Sequence, residues 1–357
     1  MTEPLLDRVQ AYADNVLRPR ALETDRTGVT EQTVRDLAEL GALNHLASAE
    51  YGGADLDRGA DRRLHELLAG GCYNTWLVWA QHAPQVGRIR QAVEQPGSSF
   101  DGELADRLLR GSVLLGVALS DVRRYPERYV AVRRTDGGWV FDGTISWVSG
   151  WGLNQWIGVA GVDAVDPARP RVVHALVPIG DGVIGTPLRL SAANGSRTER
   201  VQLTGVEAPD RHVIAVQDLD TWRAADVAGA ADARAHHFGL AATVLDELRA
   251  GPHPAAHKVA EVWAPRVDLI REQAYALTDA VTAAGPDAPQ RIDERLALKV
   301  AIGDALGVLT RALLISRAGR GLSADDTAQL HARSALFALV QGQTSAVREA
   351  QLRALAT

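Results

Sequence analysis

Three stretches of the chain follow different hydrophobic periods, and their order restricts the fold more than any other feature. Residues 1–111 and 214–357 carry apolar side chains at helical spacing, such as Val34, Leu37 and Ala38 after a candidate N-cap at Thr30. Residues 112–213 carry short apolar or alternating runs separated by glycine turns, which is typical of a small barrel or sandwich. The order predicts an α+β chain of three domains: helices in 1–111, strands in 112–213 and helices in 214–357.

Composition and charge exclude several classes of function. The net charge of −6 is spread evenly without a Lys/Arg stripe, so we expect no nucleic-acid partner. Cys72 is the single cysteine, so no disulfide forms within the chain, and no histidine spacing is typical of zinc; we expect no metal. There is no signal-peptide pattern and no apolar run of about 18 residues, which predicts a cytoplasmic protein without a membrane span.

Aromatic side chains concentrate in one short stretch. Residues 146–156, "SWVSGWGLNQW", hold three tryptophans, although the whole chain has only eight. An indole is a large flat surface that either packs in a core or lines a site for something flat. The residues alone leave both interpretations open.

Five motifs occur in the order and at the separations typical of the acyl-CoA dehydrogenase family, whose members are FAD-dependent flavoproteins. The chain resembles this family over nearly its whole length. The resemblance implies an N-terminal α-helical domain, a central β-barrel and a C-terminal four-helix bundle. The motifs are "LASAEYGGADLD" (46–57), "ALSD" (118–121), "WVSGWGLNQW" (147–156), "SRTERVQLTGVEAP" (196–209), and "AGRGL" (318–322) with Arg333 and Thr344.

The resemblance also implies a binding site for FAD. Trp147, Val148 and Ser149 stand where the family places a tryptophan beside the flavin ring and a hydroxyl near its N5 atom. A second set implied to bind the cofactor comprises Leu119, Ser120 and Thr344. A flat apolar wall with a few fixed polar groups is what a flavin requires of a protein.

The chain departs from the family at the catalytic base. The family removes a proton from its acyl thioester with a glutamate, and the two positions where that glutamate occurs correspond here to Gly342 and to the vicinity of Gly229. The catalytic residue is therefore unassigned. Side chains that could act near these positions are Asp232, His236 and His237, together with Gln341 and Gln343, which bond but do not ionise.

The substrate and partners follow only from the resemblance. It implies an acyl thioester of CoA or a carrier protein, or another small molecule, with an electron-accepting flavoprotein or a reductase as partner and a homodimer or homotetramer as assembly. Arg123, Arg124 and Arg128 either meet the phosphates of a CoA group or form a solvated loop.

The functional prediction is an FAD-dependent oxidoreductase acting on a CH–CH group. Because a glycine cannot accept a proton, three alternatives stay open. They are a flavin monooxygenase on the same fold, a non-redox enzyme such as a dehydratase or cyclase, and a non-catalytic partner subunit.

Overall fold

The computed structural model describes residues 2–356 and contains helices at both ends with a sheet between them. In the N-terminal part, helix bounds follow the apolar periodicity, and Thr30 caps its helix by accepting a hydrogen bond from the Thr33 amide, as predicted. The helices there are α1 (Thr2–Tyr12), α2 (Ala21–Thr27), α3 (Glu31–Glu39), α4 (Arg58–Gly71), α5 (Tyr73–Glu94) and α6 (Gly102–Leu109).

The central strands form one mixed sheet of eight strands in the order β6-β7-β3-β2-β4-β5-β8, with β1 paired in parallel to β4. Side chains of β3, β5 and β7 meet in one core, so the sheet curls on itself, although its edge strands β6 and β8 do not pair with each other. The strands are β1 (Leu115–Ala118), β2 (Ala131–Thr135), β3 (Gly138–Val148), β4 (Trp156–Asp163), β5 (Arg171–Pro178), β6 (Val183–Pro187), β7 (Glu199–Pro209) and β8 (Val213–Asp218).

The last strand begins at the domain boundary predicted from the sequence, residue 213, and helix resumes only at Leu219. The segment between them pairs with β5, which carries the sheet five residues beyond that boundary. The C-terminal helices are α7 (Leu219–Ala230), α8 (Ala235–Ala250), α9 (Pro254–Ala284), α10 (Ile292–Arg317), α11 (Thr327–Val340) and α12 (Ser345–Leu355).

Helices from the two ends of the chain share one hydrophobic core. Leu64 and Trp79 of the N-terminal helices lie in the same buried cluster as Leu245 and Leu306 of the C-terminal helices. Helices α4 and α8 approach so closely that a side chain at Gly239 would overlap the Glu66 carbonyl, 2.2 Å from the position of its Cβ. This close crossing places the N-terminal turn of α8 beside the aromatic residues at the start of α5.

Candidate functional site

Trp147 lies at the end of β3 and is not enclosed by the sheet. It is 41% exposed, whereas Val148 beside it is fully buried in the sheet core. The register between β3 and β7 shifts between Ile145 and Val148, at the end of the strand. The Trp147 indole contacts the ring of Phe337 on α11, with the two centroids 6.4 Å apart. The indole therefore lies between the sheet and α11 with part of its surface open.

The side chain of Val148 faces away from the exposed indole, so its predicted role in binding the cofactor can involve only its main chain. Successive side chains of a strand point to opposite faces, so Val148 points into the sheet core when Trp147 points out. Its side chain cannot contact a bound ligand, and only its main chain remains available.

The Ser149 hydroxyl belongs to a directed chain of hydrogen bonds. Ser196 Oγ donates to the Ala193 carbonyl at 2.7 Å, so its only proton is committed, and the 2.7 Å contact with Thr198 must be donated by Thr198. By the same count, the 2.8 Å contact between Ser149 and Thr198 is donated by Ser149. The Ser149 oxygen can therefore accept a further hydrogen bond but cannot donate one.

The end of β1 is tied to the residue that precedes Trp147. The buried Asp121 accepts hydrogen bonds from the Ser146 amide at 2.7 Å and the Ser146 hydroxyl at 2.6 Å. This pair brings Leu119, which is half-buried, and Ser120, which is exposed, to the same end of the sheet as Trp147. The sequence reasoning quoted Asp121 within its motif but missed this positioning role.

The three arginines after β1 all have protein partners. Arg123 forms a two-point ion pair with Asp226 at 2.6 and 2.7 Å. Arg124 and Arg128 both donate to Ser146 Oγ, at 3.1 and 2.9 Å. They anchor the loop to the sheet, which favours the structural interpretation over a phosphate site.

Thr344 lies apart from the strand ends. Its hydroxyl is buried and caps α12 by accepting from the Val347 amide at 3.3 Å. The preceding helix, α11, carries Phe337, which contacts the Trp147 indole.

Neither base position of the family carries an acid. Gly342 has φ +63°, and a Cβ there would meet no atom within 4 Å. At Gly229 a Cβ would meet only the Arg234 guanidinium, at 3.8 Å. Asp232, the predicted substitute, accepts hydrogen bonds from Arg295 at 2.7 Å and Thr278 at 2.9 Å, and is therefore held as part of the helix packing.

Aromatic rings continue from Trp147 into the interior. Phe337 contacts Tyr73, with centroids 6.1 Å apart, and Tyr73 donates a hydrogen bond to Gln341 Oε1 at 3.3 Å. Tyr73 also contacts His236 edge-on at 6.1 Å, and His236 stacks on Trp76 at 4.1 Å. The aromatic segment "CYNTW" (72–76) was the signal for this wall, and the sequence reasoning did not use it.

The two predicted histidines differ in what their nitrogens do. His237 Nδ1 lies 3.0 Å from the Arg234 carbonyl, and burial lowers the pKa of His237 to about 3. It is therefore a neutral residue of the α8 start. His236 is 4% exposed, and its Nε2 has no hydrogen-bond partner among residues 2–356.

Gln343 forms hydrogen bonds with the side chains of Gln351 and Arg348 on α12.

No three metal-binding side chains converge anywhere in the described part of the chain. Within residues 2–356, no helix is both long and apolar enough to cross a membrane.

Comparison with known proteins shows which fold this chain shares. Residues 2–92 match the family "Acyl-CoA dehydrogenase, N-terminal domain". Butyryl-CoA dehydrogenase from Megasphaera elsdenii has the same fold, with a TM-score of 0.80 over 100% of this chain and 98% of that one at 15% identity. Dibenzothiophene monooxygenase (TdsC) from Paenibacillus sp. A11-2 gives 0.76 over 97% and 95% at 16% identity, and has also been solved with FMN and indole.

The chain therefore has the acyl-CoA dehydrogenase fold. The match of residues 2–92 to that family's N-terminal domain agrees with the resemblance, and the fold class predicted from the motifs is confirmed. A curated relative, the pigment production hydroxylase of Rhodococcus sp. (strain ATCC 21145), is 24% identical over 208 residues, or 58% of this chain. The alignment covers half of the length of that relative (50%).

Proposed function

We propose that this protein is a flavin-dependent oxidoreductase of the monooxygenase type, acting on a small flat substrate. The observation that carries the proposal is the glycine at both base positions, because Gly342 and Gly229 cannot accept the proton that desaturation releases. Hydroxylation by reduced flavin and O₂ requires no carboxylate at those positions. The partial similarity to a hydroxylase points the same way.

The residues at the end of the sheet fit a flavin. Trp147 offers an open apolar face for a ring system, and the Ser149 oxygen is an acceptor without a free proton. Such an acceptor suits a ring nitrogen that bears hydrogen, as the reduced cofactor has. The main chain of Leu119 and Ser120 lies at the same end of the sheet, held there by Asp121. FAD is the cofactor that the fold implies, and FMN would use the same ring contacts.

When bound, reduced flavin would supply the two electrons that, with two protons, let one atom of O₂ enter the substrate while the other leaves as water. The protein's own residues supply position and exclusion of water. Phe337 packs beside Trp147 and shields part of the indole from water, and Tyr73 donates a hydrogen bond to Gln341 on the other side of Phe337. Thr344 contributes indirectly, since its cap fixes the start of α12 after the loop that contains Gly342.

A dehydrogenase acting on a CH–CH group is the second candidate. Its support is the match of residues 2–92 to the acyl-CoA dehydrogenase domain and the similarity of the fold to butyryl-CoA dehydrogenase. It would require a base from elsewhere, because Asp232 and Asp226 are both paired with arginines. The two candidates also need different partners: a flavin reductase for the monooxygenase and an electron-accepting flavoprotein for the dehydrogenase.

One pair of assays distinguishes the monooxygenase from the dehydrogenase. Protein loaded with FMN or FAD is supplied with NADH, a separate flavin reductase, ¹⁸O₂ and indole as probe, and the product is examined by mass spectrometry. We expect ¹⁸O in the product, and less of it with the Trp147→Ala variant at the same flavin concentration. Anaerobic bleaching of the flavin by butyryl-CoA, without ¹⁸O incorporation, would instead establish the dehydrogenase. Protein that binds neither flavin would refute both and leave the non-redox enzyme or the partner subunit.

A further inference from the structure

The first turn of α8 contains a buried polar group that nothing in the fold uses. His236 is the second residue of this 16-residue helix and is 4% exposed, yet its Nε2 has no partner in the described chain. A buried polar atom without a hydrogen bond is costly, and it calls for an occupant that the protein alone does not supply. The amides of Ala235 and His236 also lie in the first turn, where no intrahelical acceptor is available.

The charged groups beside His236 are cations. Arg234 and Lys299 lie near it, whereas His237 and His65 are neutral, because burial lowers the pKa of His237 to about 3 and that of His65 to about 4. Lys299 is 5% exposed, its Nζ donates a hydrogen bond to the Asp232 carbonyl oxygen at 3.3 Å, and burial lowers its pKa to about 7.

Two carboxylates lie near these cations, but each is already paired. Asp232 is paired with Arg295, and Asp226 is paired with Arg123. Arg123, Arg234 and Arg295 outnumber these two carboxylates even without Lys299, so the cluster keeps an excess of positive charge. A cation is therefore disfavoured as the occupant, and an anion is favoured by the charges and by the helix start together.

The other wall beside His236 is aromatic. Trp76 stacks on the imidazole at 4.1 Å with an interplanar angle of 27°, and Tyr73 contacts it edge-on. The Trp76 indole N–H donates to His65 Nδ1 at 3.0 Å, which fixes the ring against which His236 lies. Through Tyr73 and Phe337 this wall continues to Trp147.

We propose that the first turn of α8, with His236 and Lys299, binds an anionic oxygen of a small flat substrate, either a carboxylate or a phenolate. The proposal rests on the proposed function, since it names the substrate class of that cleft. A neutral His236 with its hydrogen on Nε2 donates one hydrogen bond, and Arg234 with protonated Lys299 supplies the opposite charge. Tyr73 and Trp76 are buried beside His236, so the ring of the molecule enters by displacing part of this packing. His236 then positions the substrate at the inner end of the aromatic wall.

The test measures binding rather than turnover. Isothermal titration calorimetry on the full chain, without NADH or reductase, compares benzoate with its neutral analogue benzamide, and 4-nitrophenolate with nitrobenzene. Since a hydrogen bond to a charged group contributes more than a neutral one, we expect each bound anion to be preferred by about 10-fold to 100-fold over its neutral analogue. Binding of benzoate identifies a carboxylate and binding of 4-nitrophenolate identifies a phenolate; either result supports the site.

Variants test whether the named residues are responsible. His236→Phe keeps the stacking on Trp76 and should abolish the preference for the anion while retaining the neutral analogue. Lys299→Met is the second variant, and it keeps the proposal testable if the first does not fold. His257→Phe and Lys258→Met on α9 serve as matched controls and should bind like the wild type.

Equal binding of anion and neutral analogue would overturn the proposal, as would binding of neither anion or an unchanged preference in both variants. Failure here is distinguishable from failure of the proposed function, since ¹⁸O incorporation into indole is measured separately and indole carries no anionic oxygen.

Discussion

Replacing Trp147 by alanine should weaken flavin binding by an amount that its exposure sets. Trp147 is 41% exposed, and since a tryptophan presents about 250 Å² at most, about 100 Å² of it is open to a ligand. At about 25 cal/mol per Å², covering that area contributes about 2.5 kcal/mol, which is about 70-fold in Kd.

Quenching of flavin fluorescence on titration with protein measures this Kd directly. Trp222→Ala, at a half-buried tryptophan of α7 outside the proposed cleft, is the matched control and should leave the Kd unchanged. Circular dichroism should show both variants folded. A Kd for Trp147→Ala within about threefold of the wild type, well short of the 70-fold that the exposed area predicts, would refute the assignment of the indole as the wall of a flavin site.

Three further perturbations test the hydroxyl chain, the buried histidines and a buried ion pair. Thr198→Val removes the acceptor of the Ser149 proton, so the freed hydroxyl can donate to a nitrogen of the oxidised flavin ring and stabilise that form. Spectroelectrochemistry should show the midpoint potential of bound flavin falling by about 30 mV, with no change in the exposed control Thr204→Val. A rise in the potential would contradict the proposed direction of the hydrogen bonds. Burial lowers the pKa of His82 to about 4, and because this is below the unfolded value, its contribution to stability is complete above about pH 6.5 and is lost as the pH falls towards 4. Urea unfolding of His82→Gln should therefore show a shallower loss of stability over that window, by about one proton at most, and equal slopes would contradict the neutral role of His82. Arg333→Met leaves the buried Asp25 without the guanidinium that lies 2.8 Å away and should lower the free energy of unfolding by about 3 kcal/mol. The control Arg35→Met breaks an exposed ion pair and should lower it by less than about 1 kcal/mol. Similar losses in both variants would show that burial does not increase the contribution of the Asp25 pair.

The order of helices and strands could be predicted from the sequence because it depends on local periodicity. Apolar spacing of three to four residues marks the helices, and glycine-punctuated runs mark the strands between them. The position of Trp147 at a strand end follows from the same local signals, together with the family motif. The burial of Val148 was also within reach, because alternation along a strand predicts that neighbours point opposite ways.

Whether the Ser149 hydroxyl donates or accepts could not be predicted from the sequence, because its hydrogen-bond partner Thr198 is 49 residues away on another segment. The same holds for the tie between Asp121 and Ser146, which depends on how β1 and β3 meet. A hydroxyl looks alike in sequence whether it donates or accepts, and only the bonds around it decide which it does.

The sequence by itself determined the fold class, the strand-end tryptophan and the absence of an acid at the two glycines, since each depends on residue type and local spacing. Only the tertiary structure decided that His236 lies against Trp76, 160 positions earlier in the chain, among cations and without a partner for Nε2. The physical reason is that the burial of a side chain and the charge around it depend on every segment that packs against it. Helix α8 comes close to α5 because glycines allow it to cross α4 at short distance.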